Sequence, residues 1–202
     1  NELRNSGNAN GTGYFPLQTS NFSIDIGMDF QPLVGNLDNK GSSEIVIFSN
    51  SSLIIFNPQL GVLANAKIGQ ILGQPSLFDF DNDNMIEVMF NSRQDSKDYF
   101  FAYQYNGTLQ QEFNITLPHE ANFSGIKCLS INGVNSCGFK DKSNYIHVVD
   151  TALKADASYN TSVHQEKRQT VPSIGDIDND GNPEAIFWFN KDDSSGYGFL
   201  AF

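Results

Sequence analysis

The chain alternates short apolar runs with clusters of Gly, Asn, Asp, Ser and Pro. EIVIF, LIIF, IEVMF, DYFFAYQY, NYIHVVD, EAIFWF and YGFLAF are rich in Val, Ile, Phe and Tyr. Such residues suit a pleated, packed surface, and the bounding clusters supply turns. No stretch carries a convincing helical period. Several runs are almost continuously apolar, as expected of strands covered on both faces. The pattern predicts an all-β fold.

Three stretches line up. QPLVGNLDNKGSSEIVIF begins at Gln31, QPSLFDFDNDNMIEVMF at Gln74 and VPSIGDIDNDGNPEAIFWF at Val171. Each has a proline, a short apolar run, an acidic or amide loop, a glutamate and then a strand-like run. The prolines are Pro32, Pro75 and Pro172, so the second spacing is about twice the first. A degenerate copy, IKCLSINGVNSCGFKD from Ile126, fills the gap with its loop shortened and stripped of carboxylates. Repeats of roughly 40–50 residues with about four strands each are the signature of β-propeller blades, which bury their faces on one another. The expected fold is therefore a β-propeller of about four blade-like repeats, at 31–73, 74–123, 124–170 and 171–202. A polar segment, 1–30, precedes them. The last repeat lacks an outer strand. FSIDI in the N-terminal segment would supply it if the ring closes at four, and the chain is otherwise part of a larger propeller; both readings stay open. The lack of an initiator Met or signal peptide reads as a processed or truncated segment.

The loops carry the candidate chemistry. Asp176, Asp178 and Asp180 occupy positions 1, 3 and 5, with Gly181 at the bend. Asn182 can offer its carbonyl at position 7, and Glu184 closes the loop at position 9. Alternating oxygen donors around a sharp turn wrap a hard cation of calcium size. An EF-hand would need a glutamate at position 12, where Phe187 stands, and helical flanks. The second copy offers Asp79, Asp81, Asp83, the carbonyl of Met85 and Glu87, with Asn84 at the bend. The first keeps Asn36, Asp38 and Glu44 but has Lys40 at position 5, whose ammonium is expected to take the metal's place. Two calcium sites are expected. A single Asp/Asn/Gly loop could be only a good turn; two in register with a repeat are a stronger signal.

These loops, with a proline and apolar run before them and a strand after, resemble the FG-GAP and VCBS repeat families, of which the integrin α-subunit propeller is a familiar member. The resemblance spans about 31–202 and implies a propeller with calcium held between the first two strands of a blade. Members include adhesion receptors, lectins, cell-surface proteins and polysaccharide-degrading enzymes. The Asn-rich style also resembles microbial surface proteins.

Charge narrows the partners. With 23 acidic against 12 basic residues, the chain has no cationic stripe to neutralise phosphates, so nucleic acid is not expected. No apolar run is long enough to span a bilayer as a helix. Seven N-x-S/T acceptors, at Asn10, Asn21, Asn50, Asn106, Asn114, Asn122 and Asn160, exceed what Asn-rich loops produce by accident and point to a secreted glycoprotein. Cys128 and Cys137 would pair across a tight hairpin in an oxidising compartment, or else are two buried thiols; without nearby His they do not make a structural zinc site.

No catalytic constellation emerges. His119, His147 and His164 are scattered, His147 within a strand run. Ser124 and Lys127 match a short spacing better explained as a surface turn, and Trp188 reads as packing between blades. The expectation is a non-enzymatic extracellular calcium-binding scaffold or adhesion domain at a cell surface, with other proteins or copies of itself as partners. The alternative is a lectin-like glycan-binding module or an accessory domain of a polysaccharide-active enzyme.

Overall fold

A computed structural model describes residues 30–49, 51–117, 125–141, 143, 145–150, 155–160, 173–180, 184–190 and 197–201. They are all-β, without a helix. The first sheet runs β1 (Leu33–Gly35), β2 (Glu44–Ser49), β3 (Ser52–Phe56) and β4 (Val62–Lys67). A second contains β5 (Gln70–Ile71), β6 (Ser76–Phe78), β7 (Glu87–Gln94), β8 (Lys97–Tyr105) and β9 (Leu109–Leu117); both β5 and β6 pair with β7. A third holds β10 (Lys127–Ile131), β11 (Val134–Lys140), β12 (Tyr145–Asp150) and β13 (Ala155–Asn160). The fourth has β14 (Ser173–Gly175), β15 (Glu184–Asn190) and β16 (Tyr197–Ala201). Neighbouring strands in every sheet are antiparallel.

The first, third and fourth aligned stretches each open a sheet as a meander of hairpins, and the second supplies β6 and β7 of a sheet that begins with β5. The repeat boundary at 73 falls after β5, which joins the second sheet because Gln70 and Ile71 pair with Arg93 and Ser92. The ring-closing strand expected around FSIDI lies outside the described residues.

Strand β7 explains why its sequence is apolar on both faces. Successive side chains of a strand point to opposite sides. Val88 and Phe90 enter a core shared with Val46, Phe48, Leu53 and Ile55 of the first sheet. Met89, between them, enters another with Cys137, Phe139 and Val149 of the third. Aromatic rings fill both cores: Phe48 meets Phe90 edge-on at 5.7 Å, and Phe100 stacks on Phe139 at 5.6 Å. The second sheet is thus packed between the first and the third.

The cysteine-containing repeat closes β10 to β11 by Asn132–Gly133, both at positive φ. That two-residue turn suits the twist of a tight hairpin. Cys128 and Cys137 are directly opposite across it and form a disulfide, with Cα atoms 4.1 Å apart.

Candidate metal centre

The three acidic loops are built alike. In each, the residue just before the loop pairs with the closing glutamate: Gly35 with Glu44, Phe78 with Glu87, Gly175 with Glu184. The loop's second N–H then donates to that glutamate. Leu37 N–H reaches Glu44 Oε2 at 2.8 Å, Phe80 N–H reaches Glu87 Oε2 at 2.5 Å, and Ile177 N–H reaches Glu184 Oε2 at 2.8 Å. Position 4 is Asn39, Asn82 or Asn179, all left-handed, as are Gly41 and Asn84 at position 6. Asn adopts that conformation more readily than most residues.

This backbone brings carboxylates together. Asp79, Asp81 and Glu87 each offer an oxygen within 4.8 Å of the others, and Asp176, Asp178 and Glu184 do the same. Oxygens on opposite sides of a calcium ion, at roughly 2.4 Å each, lie about 4.8 Å apart. Positions 1, 3 and 9 therefore converge in both loops. Asp83 and Asp180, at position 5, belong to neither group. Asp83 instead accepts from Gln104 Nε2 at 2.6 Å and from Met85 N–H at 2.7 Å. Asp180 N–H donates to Asp176 Oδ1 and Asp178 Oδ1, both at 3.1 Å. Asn182 lies outside the described residues, as does Gly181.

The second loop passes a sharper test of fit. Glu87 is 1% exposed. Its Oε1 and the Oδ1 of Asp79 are buried and without a hydrogen-bond partner. Such atoms are costly unless something satisfies them, and a hard cation is what converging carboxylate oxygens would take. Burial, with Asp81, Asp83 and Asp79 nearby and only partly offset by the Phe80 N–H, pushes the Glu87 carboxyl up to about 8. The residues present fit calcium.

The first loop keeps Glu44 buried and Asn36 Oδ1 unpartnered. Lys40 turns its ammonium to Asp38 Oδ2 at 3.3 Å, and its N–H donates to Asp38 Oδ1 at 3.0 Å. Lys40 thus neutralises Asp38 within the loop.

Three residues around the second loop come from later strands and leave no signal in its local spacing, and a fourth, Asn82, lies in the loop but acts through a side chain not expected as a ligand. Gln104 on β8 holds Asp83. Glu112 on β9 is pushed up by desolvation and by Asp81, with which it hydrogen-bonds, and by Asp83. Asn82 Nδ2 donates to Gly133 O at 3.1 Å. Asn135 on β11 donates through Nδ2 to the carbonyls of Asp79, at 2.8 Å, and Phe80, at 3.1 Å.

His147 is buried, 3.2 Å from Asp141 Oδ2 through Nε2 and stacked on Phe139. Asn106 and Asn114 are exposed, at the turn before β9 and on β9 itself. Asn160 ends β13. Asn10, Asn21, Asn50, Asn122, His119, His164 and Ser124 lie outside the described residues. Trp188 pairs with Phe199 between β15 and β16.

No family model matches the sequence, and no curated protein matches it. Solved structures do. The chain is similar to BBS1N in crystals of its complex with ARL6DN soaked with lead, with a TM-score of 0.62 and 11% identity over 88% of this chain and 55% of that one. The same complex soaked with mercury gives a TM-score of 0.55 and 11% identity over 84% of this chain and 49% of that one. The chain thus spans about half the length of the structures it matches. At that identity the likeness shows the fold, and the fold is all-β, antiparallel and β-propeller-like.

Proposed function

We propose that the chain is a calcium-stabilised propeller module of the FG-GAP/VCBS kind, its four sheets being blades, and that it serves as a non-enzymatic extracellular scaffold or adhesion domain. The observation that carries this reading is the pair of buried, unpartnered oxygens of Asp79 and Glu87 inside a three-carboxylate group that the fourth sheet repeats. Asp79, Asp81 and Glu87 would hold one ion, with the Met85 carbonyl; Asp176, Asp178 and Glu184 would hold the other, with Asn182. Bound calcium supplies positive charge that neutralises the clustered carboxylates and ties each loop's ends together. Affinities in the range of extracellular calcium modules, on the order of 0.1–1 mM, would make the sites effective outside the cell.

The seven sequons and the disulfide support the extracellular setting. Exposed Asn106 and Asn114 can accept glycans on the outer strand side of the second sheet. A protein partner, or a second copy, is the partner class proposed; BBS1N, in the crystals it resembles, is itself in complex with ARL6DN. The test is adhesion of beads coated with the chain, to one another or to cells, in millimolar calcium. Clustering or capture that chelator reverses supports the reading. Identical behaviour in calcium and chelator, or with beads carrying the heat-denatured chain, overturns it.

A further inference from the structure

The third sheet has no acidic loop, yet it reaches into that of the second. Asn135 is fully buried, and its amide bridges two successive carbonyls, those of Asp79 and Phe80. Asp79 opens the metal loop, and Phe80 supplies the N–H that holds Glu87. Asn82, at position 4 of the loop, grips the hairpin turn in return through Gly133 O.

Two residues further along β11, on the same face by the period of a strand, Cys137 carries the disulfide. Its sulfur lies 3.4 Å from Met89 Sδ, and that of Cys128 lies 3.6 Å away. Met89 is two residues beyond Glu87 on β7, again on the same face. Two strands from different sheets therefore meet twice in register: Asn135 against the loop backbone that holds Glu87, and Cys137 against Met89. The hairpin is short, closed by a two-residue turn, and the disulfide ties its strands directly opposite each other.

We infer that Asn135 is a positioning residue for the second loop's metal site, and that the Cys128–Cys137 disulfide holds the hairpin carrying it, so that calcium affinity at Asp79, Asp81 and Glu87 depends on the redox state of a neighbouring sheet. This inference rests on the calcium reading above. Groups that orient ligands without touching the metal commonly change affinity by about 10- to 100-fold. Linkage makes the effect reciprocal: whatever factor the disulfide contributes to calcium affinity, calcium contributes to the disulfide's resistance to reduction. Reduction by dithiothreitol is the relevant step. The protein disulfide takes up two electrons and two protons, and the two thiols of dithiothreitol become a cyclic disulfide.

The experiment is calorimetric calcium titration of the full chain carrying Glu184→Gln, which leaves the second loop as the site read. Asn135→Ala, Asn82→Gly and dithiothreitol reduction are each compared with that background, and melting is followed in chelator. The expected result is about tenfold weaker binding on Asn135→Ala or on reduction, with the two together weakening it by less than the product of their separate factors. Saturating calcium should raise, by the factor found for reduction alone, the dithiothreitol ratio needed for half-reduction. A purely structural role would lower the melting temperature in chelator and leave the dissociation constant unchanged, and that overturns the inference. Should Asn135→Ala fail to fold, Asn82→Gly and the reduced chain decide: unchanged affinity in both overturns it. A background chain that takes up no calcium overturns the calcium reading itself, and this inference with it.

Discussion

Asp79 and Glu87, eight positions apart and joined by the turn between β6 and β7, each bring a carboxylate oxygen within 4.8 Å of the other, and each keeps a buried oxygen that no hydrogen bond satisfies. Two such groups at this distance repel, and burial weakens the solvent screening that would soften the repulsion. The fold holds them there through the Phe78–Glu87 strand pairing and the Phe80 N–H. A bound cation would turn this local cost into a stabilising interaction.

Removing calcium should therefore lower the melting temperature. A ligand that binds only the folded state stabilises it by mass action, by about 0.4–1.4 kcal/mol per site in about 1 mM calcium when the dissociation constant is on the order of 0.1–1 mM. Thermal scans in millimolar calcium and in excess chelator should differ by several degrees; superimposable scans would count against metal binding in the native fold.

The loops should differ under mutation. Glu87→Gln should abolish the second loop's share of the calcium-dependent shift, and Asp178→Ala the greater part of the fourth's. In chelator, Glu87→Gln should match or exceed the parent in stability, because it removes a buried group crowded by carboxylates. Asp38→Ala should change the calcium-dependent shift little, since Lys40 already pairs with Asp38 and such a partly exposed pair contributes about 0–1 kcal/mol. Calcium-dependent melting of the three variants checks all of this.

A pH series in chelator should show an unusual slope. The Glu87 carboxyl rises from an ordinary 4.5 to about 8 in the metal-free fold. Between those values the folded chain holds a proton that the unfolded chain has released, so the Glu87 contribution is full below about 4.5 and is lost as pH rises through about 8. Calcium binds the ionised form, so its increment should grow with pH across the same window. Denaturant titrations from pH 4 to 9 on the parent and on Glu87→Gln test this, the variant lacking the Glu87 component.

Packing between the second and third sheets should be expensive to disturb. Phe100 is fully buried and lies nearly parallel to Phe139, at 6° between ring planes. Phe100→Ala should cost about 3–5 kcal/mol in urea unfolding. A loss below 1 kcal/mol would mean that the two sheets do not share the core described.

The loops and strands were legible because the repeat exposes its own periodicity. Asp79, Asp81 and Glu87 could be placed together from a spacing that Asp176, Asp178 and Glu184 copy, and apolar runs such as EVMF announced strands covered on both faces. The tight hairpin between Cys128 and Cys137 was legible, but the sequence left a disulfide and two buried thiols both open, and the structure joins them. The left-handed Asn at position 4 of each loop is also in the sequence, as Asn39, Asn82 and Asn179, although the spacing marks position 6 as the bend. Asn135, Gln104 and Glu112 were not legible. Each reaches the second loop from a later strand, and a contact between residues some 20 to 55 positions apart leaves no trace in local spacing. Asp83 looked equivalent to Asp79 in the motif, yet Gln104 engages it, a choice made by packing and not by pattern.

Calorimetric titration of the chelator-stripped chain with calcium counts the sites outright. Saturable binding is expected at two sites, reduced to one by Glu87→Gln and to one by Glu184→Gln, and lost in the double variant. Absence of saturable heat in the parent, or binding that survives both substitutions together, would contradict the calcium reading.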